Sequence, residues 1–523
     1  MSLQPTNKFI IFVPIYNFGS FLEECIESIL KQIHTNWICL LWDDGSTDNS
    51  NLICEKYKGL YPDKFIMKKN IYNEGPASTK YSFLKILKTI SDPNDIAIIL
   101  DGDDNFIGDD SLEIINKAYN DTKCWMTYGS FEGMWQEQTV QLPRENDVEF
   151  RKIPWRYGHP RSFKCFFGTM FCANDFKYSD STWLKKGTDR PLIFHLLEWS
   201  QKRKIKYINK RIYNYRTHDN NTWKLIDNKT SWLQKEYVNK KITQPQYVER
   251  IHIVMASWKR TKNIPKIINL LKLQTVSNRI HFHIVNNNKE ERENIENIVK
   301  CEKDLHITVK HYENKYFGFQ RFLYIRDELL KKELIDYAIM IDDDLSFGPE
   351  WVEDMFSKAK PRNYIGFYGK RFDPVHVDYW TVGWHTTCRK NFHRNMIKMD
   401  YVATCGCIID CSIFNPASIL WDIPKDIPDG VSVYNIEDLW LSYISNQIGW
   451  SNQRSFNPME VIEEEDPTIA QFFYLKDKKT KLLKYLIEEK NWLIINRRSN
   501  IGFLKRKSLA ENNNSGYLRR RSV

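Results

Sequence analysis

Two short acidic clusters follow apolar, strand-like runs in this chain. The first, at 101–104, comes directly after 96–100, and the second, at 342–344, comes after 337–341. A buried strand that ends in carboxylates is stable only where those charges meet water or a cation at the edge of the sheet. In open α/β sheets, ligands bind at that edge. Because the clusters begin 241 positions apart, the spacing indicates two copies of one ligand-binding arrangement.

The elements around the two clusters repeat in the same order. A shift of 241 residues places Phe12 on Ile253, in the first predicted strand of each half. Second strands are predicted at 37–42 and 280–285, and the apolar residues before them recur with helical spacing. Alternating strands and helices predict an α/β fold class, with two Rossmann-like, mostly parallel sheets in tandem. A short helical C-terminal extension is predicted at 470–500.

Length and composition are those of a multidomain globular protein. A chain of 523 residues exceeds the size of one hydrophobic core, and 42% hydrophobic with 27% charged residues is ordinary for a folded protein. We predict domains at 1–240 and 248–500, followed by a basic, disordered tail at 501–523. The net charge of +10 is scattered along the chain, which argues against a nucleic-acid partner.

The sequence contains neither an apolar run of the ~20 residues that span a bilayer nor a secretory signal. It therefore predicts a cytoplasmic protein without a transmembrane segment, and it leaves open whether the basic tail docks on a membrane surface. The richness in Lys, Asn and Ile fits an A+T-rich genome, such as that of a large DNA virus or a protist. The oligomeric state is not specified.

Three motifs end successive strands of the first half, at 13–17, 43–50 and 100–104. They read Val-Pro-Ile-Tyr-Asn, Asp-Asp-Gly-Ser-Thr-Asp-Asn-Ser and Leu-Asp-Gly-Asp-Asp. In this order they resemble the GT-A fold glycosyltransferases of family 2, over roughly residues 8–225. The resemblance implies a nucleotide-diphospho-sugar donor, and we favour a UDP-sugar.

The resemblance also implies roles for individual residues at these strand ends. It implies that Pro14, Tyr16, Asp44 and Asp101 bind the donor. It also implies that Asp103, Asp104 and His218 bind the metal. A nucleoside diphosphate leaves readily only when a cation neutralises the charge on its bridging oxygen. Hard oxygen ligands select Mn²⁺ or Mg²⁺ for that task.

A catalytic base is implied at the start of a later helix, where Asp189 stands. This carboxylate would take the proton from an acceptor hydroxyl as it attacks and inverts the anomeric carbon. Many relatives carry Glu-Asp where this chain has Thr188 and Asp189. The alternative is that Asp189 only complements the dipole of its helix.

In the second half, donor-binding candidates surround the second acidic cluster. They are Arg260, Asn286, Arg321 and Asp342, with Asp344 as the metal ligand. Arg260 follows the first strand and either pairs with a phosphate or lies on the surface. Asn286 ends the strand where contacts to a base would fall.

A second acidic pair, Glu437 and Asp438, opens a late helix of this half. The order of its motifs resembles either an exostosin-type family 64 transferase or a divergent family 2 domain. Both resemblances imply that this pair lies beside the anomeric carbon and is catalytic. They leave inversion or retention of configuration open.

Together these features predict a bifunctional, metal-dependent hexosyl- or N-acetylhexosaminyl-transferase acting on a glycan or glycoprotein. One alternative has a degenerate second domain that serves as a carbohydrate-binding or oligomerising platform. In either case, Trp380, Trp384 and Trp440 would suit sugar stacking. Another is a sugar nucleotidyltransferase. That class should carry a Gly-rich phosphate loop after a first strand, and neither first strand is followed by one.

Overall fold

A computed structural model describes residues 6–133, 149–153, 155–178, 181–200, 204–219, 228–373, 376–380, 382–385, 396–455, 459–461 and 475–495. The chain forms two compact units. We call Thr6–Val248 with Leu329–Leu334 the N-terminal unit, and Glu249–Glu328 with the described residues from Ile335 onward the C-terminal unit. The domain limits predicted above stay a prediction, and the basic tail lies outside the described residues.

The N-terminal unit is built on an eight-stranded sheet. Its strands are β1 (Phe9–Ile15), β2 (Trp37–Asp43), β3 (Phe65–Lys69), β4 (Ile96–Ile99), β5 (Asn105–Phe106), β6 (Met126–Glu132), β7 (Arg161–Lys164) and β8 (Ile205–Asn214). Its helices are α1 (Leu22–Leu30), α2 (Ser50–Leu60), α3 (Pro76–Ile90), α4 (Ser111–Thr122), α5 (Asp189–Trp199) and α6 (Asn228–Lys240), with the short α10 (Leu330–Lys332). The strand order is β3-β2-β1-β4-β7-β6-β8-β5, and the first four strands are parallel.

Both faces of this sheet are covered, which explains the uninterrupted apolar runs of its strands. Ile10 and Phe12 of β1 belong to a core cluster that includes residues of α3 and α5. Phe9, Ile11 and Val13 belong to a second cluster, which includes residues of α1, α2 and α4. Helices on both faces leave the carboxyl ends of the strands as the exposed edge, where the acidic cluster follows β4.

The C-terminal unit repeats this architecture with additional small sheets. Its strands are β9 (Ile251–Ser257), β10 (Ile280–Asn286), β11 (His306–His311), β12 (Tyr337–Asp342), β13 (Leu345–Phe347), β14 (Asn363–Gly366), β15 (Gly369–Phe372), β16 (Val382–His385), β17 (Ile397–Lys398), β18 (Tyr401–Val402), β19 (Cys407–Asp410), β20 (Ser451–Arg454) and β21 (Met459–Val461). Its helices are α7 (Ile264–Lys272), α8 (Arg292–Lys300), α9 (Gln320–Tyr324), α11 (Trp351–Ser357), α12 (Glu437–Gln447) and α13 (Lys476–Glu488).

The large sheet of the C-terminal unit has the order β11-β10-β9-β12-β19-β14-β20-β17. Its first four strands are parallel, and β19 then runs antiparallel to β12, just as β7 runs antiparallel to β4. The predicted fold class, two mostly parallel α/β sheets in tandem, is therefore confirmed. The predicted helical extension is present as α13.

The strand pairing corrects the alignment of the two halves at the first strand. Phe12 pairs with Ile99 and Val254 pairs with Met340. Ile99 and Met340 each precede their acidic cluster by the same number of residues, so Phe12 corresponds to Val254 and not to Ile253. The spacing of 241 thus holds for the acidic clusters, whereas β1 and β9 differ by one residue more. A one-residue slip matters because it moves every side chain to the other face of the sheet.

In the part of the chain that the structure describes, we find no helix that combines the length and the apolar character needed to cross a bilayer.

Candidate active sites

The acidic turn after β4 lies directly against the end of β1. The Gly102 N–H donates to the carbonyl oxygen of Pro14 at 3.2 Å. A Cβ atom at Gly102 would come within 2.9 Å of that same oxygen, so the close approach requires glycine. The turn places Asp101 and Asp103 at the edge where β1 also ends, as the sequence predicts.

Asp103 and Asp104 have partners at the end of β8 or just after it. His218 Nε2 lies 2.9 Å from Asp103 Oδ2. The Tyr213 hydroxyl donates to Asp104 Oδ2 at 2.6 Å, and the Arg216 N–H donates to Asp104 Oδ1 at 2.9 Å. The structure therefore brings together the three predicted metal-binding residues Asp103, Asp104 and His218.

The three carboxylates oppose one another's ionisation. Burial, together with the neighbouring Asp103 and Asp101, raises the pKa of Asp104 to about 9. Burial also raises the pKa of Asp101 to about 6, against the opposing effect of Lys80. Such a turn has an excess of negative charge, which a bound cation would relieve.

The two residues predicted to contact the base, Tyr16 and Asp44, follow the adjacent strands β1 and β2. The side chain of Tyr16 is 41% exposed. Asp44 is buried, and its carboxylate accepts hydrogen bonds from Asn70, Gly75 and the Glu74 N–H, at 2.6, 2.9 and 3.0 Å. These bonds tie the loop between β3 and α3 to the end of β2, where Asp44 lies.

Asp189, the predicted base, is held by two cations. Its Oδ1 lies 2.7 Å from Lys80 Nζ of α3, and its Oδ2 lies 2.7 Å from Arg161 Nη1 of β7. Burial opposes ionisation, but Lys80 and Arg161 outweigh it and hold the pKa of Asp189 well below its ordinary value. Sequence reasoning missed both cations, because neither belongs to a motif at a strand end.

In the C-terminal unit, a cavity of about 420 Å³ opens beside the second acidic cluster. The predicted residues among its lining are Arg260, Arg321, Asp342, Asp344, Glu437 and Asp438. Asn286 is 0% exposed, and its amide bonds the carbonyl of Asn288 at 2.7 Å. The asparagine that lines the cavity is the next one, Asn287. The strand end was located correctly, but the side chain that faces the cavity is one residue further on.

Arg260 lies within the acidic cluster itself. Its guanidinium pairs with Asp344 Oδ2 and lies 3.5 Å from Asp343 Oδ1. Burial and the adjacent Asp344 raise the pKa of Asp343 to about 7, although Arg260 acts against them. The cation thus neutralises part of the charge at this strand end.

Arg321 joins the acidic cluster to the acidic pair of α12. Its Nη2 lies 2.9 Å from Asp342 Oδ1 and 3.4 Å from Glu437 Oε1. Burial raises the pKa of Glu437 to about 7, against the opposing effect of Arg321. A Cβ atom at Gly318 would lie 2.0 Å from Glu437 Oε1, so glycine at that position allows the carboxylate to approach.

The helical extension contributes directly to this cavity. Lys479 of α13 lies 3.2 Å from Asp438 Oδ2, and the Tyr401 hydroxyl donates to the same oxygen. Sequence reasoning missed Lys479, because a lysine within a polar helix gives no motif signal. It also misjudged Trp440, which is buried and donates its indole N–H to the Leu420 carbonyl oxygen at 2.9 Å. The side chain of Trp384 lies outside the described residues.

Comparison with known proteins identifies the family. The model of glycosyl transferase family 2 matches residues 10–186 and again residues 252–419. Together these stretches exceed half of the 523 residues. The second match favours family 2 over the exostosin-type alternative for the C-terminal half.

Similar proteins include two bacterial relatives and one solved structure. The minor teichoic acid biosynthesis protein GgaA of Bacillus subtilis is 39% identical over 101 residues, 19% of this chain and 22% of that protein. Glycosyltransferase GlyG of Streptococcus pneumoniae is 55% identical over 47 residues, 9% of this chain and 16% of that protein. The structure of S. aureus TarS 1-349 in complex with UDP is 17% identical, covers 40% of this chain and 61% of that chain, and has a TM-score of 0.32.

The chain thus spans only about a fifth of the length of these two curated relatives. The family match, in contrast, extends through both units. The chain belongs to glycosyl transferase family 2, and the enzyme class predicted from the sequence, a glycosyltransferase, is confirmed.

Proposed function

We propose that the N-terminal unit transfers a sugar from a nucleotide-diphospho-sugar to an acceptor hydroxyl. The observation that carries this proposal is the convergence of Asp101, Asp103 and Asp104 with His218 at the end of β4. Tyr16 and Asp44 follow the neighbouring strands β1 and β2, and they are our candidates for contacts with the base. Asp101 follows β4, which lies between β1 and β7 in the sheet, and it is our candidate for binding the ribose.

The donor atoms of this turn fit a divalent cation. Carboxylate oxygens of Asp103 and Asp104 would hold Mn²⁺ or Mg²⁺, which prefer oxygen ligands, and the Nε2 of His218 would complete the set. When bound, the ion neutralises charge on the diphosphate leaving group. The raised pKa of Asp104 supports this assignment, because a cation can take the place of the proton that the buried carboxyl otherwise retains.

Asp189 is our candidate for the base of the same reaction. Its lowered pKa keeps it ionised at neutral pH, so it can accept the proton of an acceptor hydroxyl. Lys80 and Arg161 orient both of its oxygens. We propose them as positioning residues, since each acts through Asp189.

For the C-terminal unit we propose a second donor site, in the cavity between the acidic cluster and α12. Arg321 and Arg260 would face the diphosphate, and Asn287 is a better candidate than Asn286 for the base. Glu437, with its pKa of about 7, is the candidate that titrates near neutrality, whereas Asp438 is held by Lys479 and Tyr401.

One observation favours the alternative, a C-terminal unit that binds carbohydrate without transferring it. Arg260 pairs with Asp344, so a metal at Asp344 would have to displace this guanidinium. The two readings differ in whether the second site needs a cation, and titration with and without Mn²⁺ separates them.

A transfer assay tests the proposal for the N-terminal unit. The full chain carrying Asp344→Ala, which disables the proposed second site, is incubated with Mn²⁺, a panel of UDP-, GDP- and dTDP-hexoses and N-acetylhexosamines, and acceptors that include glycans, glycoproteins and a teichoic acid. We expect Asp103→Asn to lower the product rate by at least about 100-fold. Asp110→Asn, which removes an exposed carboxylate paired with Lys210, is the matched control. Undiminished transfer by Asp103→Asn would reject the assignment.

A further inference from the structure

Three histidines form a buried group on the large sheet of the C-terminal unit. His252 lies on β9, and His281 and His283 lie on β10. Their exposed fractions are 1%, 4% and 1%. All three lie on the face opposite the apolar cluster that contains Ile253 and Phe282. A buried polar patch of this size costs stability unless its nitrogen atoms are satisfied.

The equivalent face of the sheet in the N-terminal unit carries apolar residues in place of the histidines. His252 pairs with His281, and Val254 pairs with His283. At the corresponding places in the first sheet, Ile10 pairs with Ile38, and Phe12 pairs with Leu40. The three histidines therefore replace Ile10, Ile38 and Leu40, all of which pack in the apolar core.

The ring nitrogens converge on one point. One ligand atom from each histidine lies within 4.8 Å of the other two, and His252 Nδ1 is 3.1 Å from His283 Nε2. In a tetrahedral site with metal–nitrogen distances of about 2.0–2.1 Å, neighbouring nitrogens are about 3.4 Å apart. Small movements of the rings would therefore suffice to accommodate an ion.

Neighbouring oxygen atoms fix the orientation of two of these rings. His283 Nδ1 lies 2.8 Å from the Tyr324 hydroxyl of α9, and His281 Nε2 lies 2.8 Å from Thr308 Oγ1 of β11. Histidines that bind metals usually have such a partner on the second nitrogen. Within the described residues, the second nitrogen of His252, the buried Nε2 on the far side of the ring from His283, has no hydrogen-bond partner.

We propose that His252, His281 and His283 bind a zinc ion, at a site separate from the two acidic clusters. On β9, His252 precedes Ala256, the partner of Asp342, by four residues, or about 13 Å of strand. Three imidazole ligands suit Zn²⁺ far better than Mn²⁺ or Mg²⁺, which prefer oxygen. The ion would join β9 to β10 and stabilise the C-terminal unit.

The protonation state of the group agrees with this role. Burial lowers the pKa of both His252 and His281 to about 3. The rings are therefore neutral at physiological pH, and neutral imidazole is the form that binds metals.

The first test measures zinc in the full, tag-free chain carrying Asp103→Ala and Asp344→Ala, which removes a metal ligand from each acidic site. We expect one zinc ion per chain to remain after dialysis against excess Mn²⁺. X-ray absorption of the zinc-loaded protein should show nitrogen ligands from imidazole, a result that does not depend on a histidine variant. Zinc that dialyses away, or an oxygen-only ligand shell, would overturn the proposal.

The second test uses the N-terminal unit as its guide. The triple variant His252→Ile, His281→Ile and His283→Leu installs the residues found at the equivalent places, so we expect it to fold. Zinc binding at this site should be abolished, a larger loss than the about 10–100-fold that removal of an outer partner costs. The rise in unfolding temperature that zinc gives the parent protein should vanish. His34→Gln, which removes a buried histidine of the N-terminal unit, is the control. Equal zinc affinity in the triple variant would refute the site.

Discussion

At the residue scale, the acidic turn after β4 brings together three neighbouring carboxylates, whose mutual repulsion a bound cation would relieve. Asp104 is buried between Asp103 and Asp101, and its pKa is about 9. The folded protein therefore binds a proton that the unfolded chain releases near its ordinary pKa of 3.8. The contribution of Asp104 to the stability of the metal-free protein is therefore fully present below that value and is lost as the pH rises towards 9.

This charge gives a direct prediction for Asp104→Asn. The amide retains an oxygen for the Arg216 N–H but cannot ionise, so the metal-free variant should lose less stability between pH 5 and pH 8 than the wild type does. At pH 8 we expect the free energy of unfolding of the metal-free variant to exceed that of the metal-free wild type by on the order of 1 kcal/mol. Denaturant unfolding in EDTA measures it, with Asp110→Asn as control. A variant that is less stable than the wild type at pH 8 would contradict this explanation.

Gly318 provides a second residue-scale prediction, in the C-terminal unit. A methyl group at this position would meet the Glu437 carboxylate at 2.0 Å. We expect Gly318→Ala to lower the free energy of unfolding by about 1–3 kcal/mol through overpacking, and to weaken nucleotide binding at this site. Gly348→Ala is the matched control, since no atom lies within 4 Å of its added carbon. Equal effects of the two substitutions would contradict the proposed contact.

At the scale of elements, the strand ends and the helix starts that carry acidic residues were predictable, whereas the cations that pair with those acidic residues were not. The ends of β1, β2 and β4 carry their polar residues in short local motifs, so the sequence placed them on one edge. Lys80, Arg161 and Lys479 come from α3, β7 and α13, whose distance from the site along the chain hides their role. Asn287 and not Asn286 lines the cavity. Which of the two does so depends on how the loop turns after β10.

The ion pair between α3 and α5 gives an element-scale prediction. Lys80→Met removes one of the two cations that stabilise the ionised Asp189, so the pKa of this carboxyl should rise. The pKa of Asp189 itself, followed by carbon NMR of aspartate labelled at its carboxyl group, should then rise by about one unit. Lys88→Met, an exposed change on the same helix, should leave this pKa unchanged. An Asp189 pKa that stays in place in Lys80→Met would mean that Lys80 does not stabilise the ionised carboxylate.

At the scale of the whole molecule, the two units share a strand order in seven of the eight positions of their large sheets. The sequence predicted this duplication from the acidic clusters, because a buried strand followed by aspartates is a strong local signal. It did not reveal the differences between the units. Arg260 pairs with one acidic cluster, and histidines replace part of one core, so the copies share a fold while their charges differ.

The most direct test of two separate donor sites is calorimetric titration of the full chain with UDP, with and without Mn²⁺. Wild type, Asp103→Ala and Asp344→Ala are compared. We predict two sites in the wild type, of which Asp103→Ala removes one and Asp344→Ala removes the other. A single site in the wild type, lost with Asp103→Ala and unaffected by Asp344→Ala, would contradict the account of two donor sites.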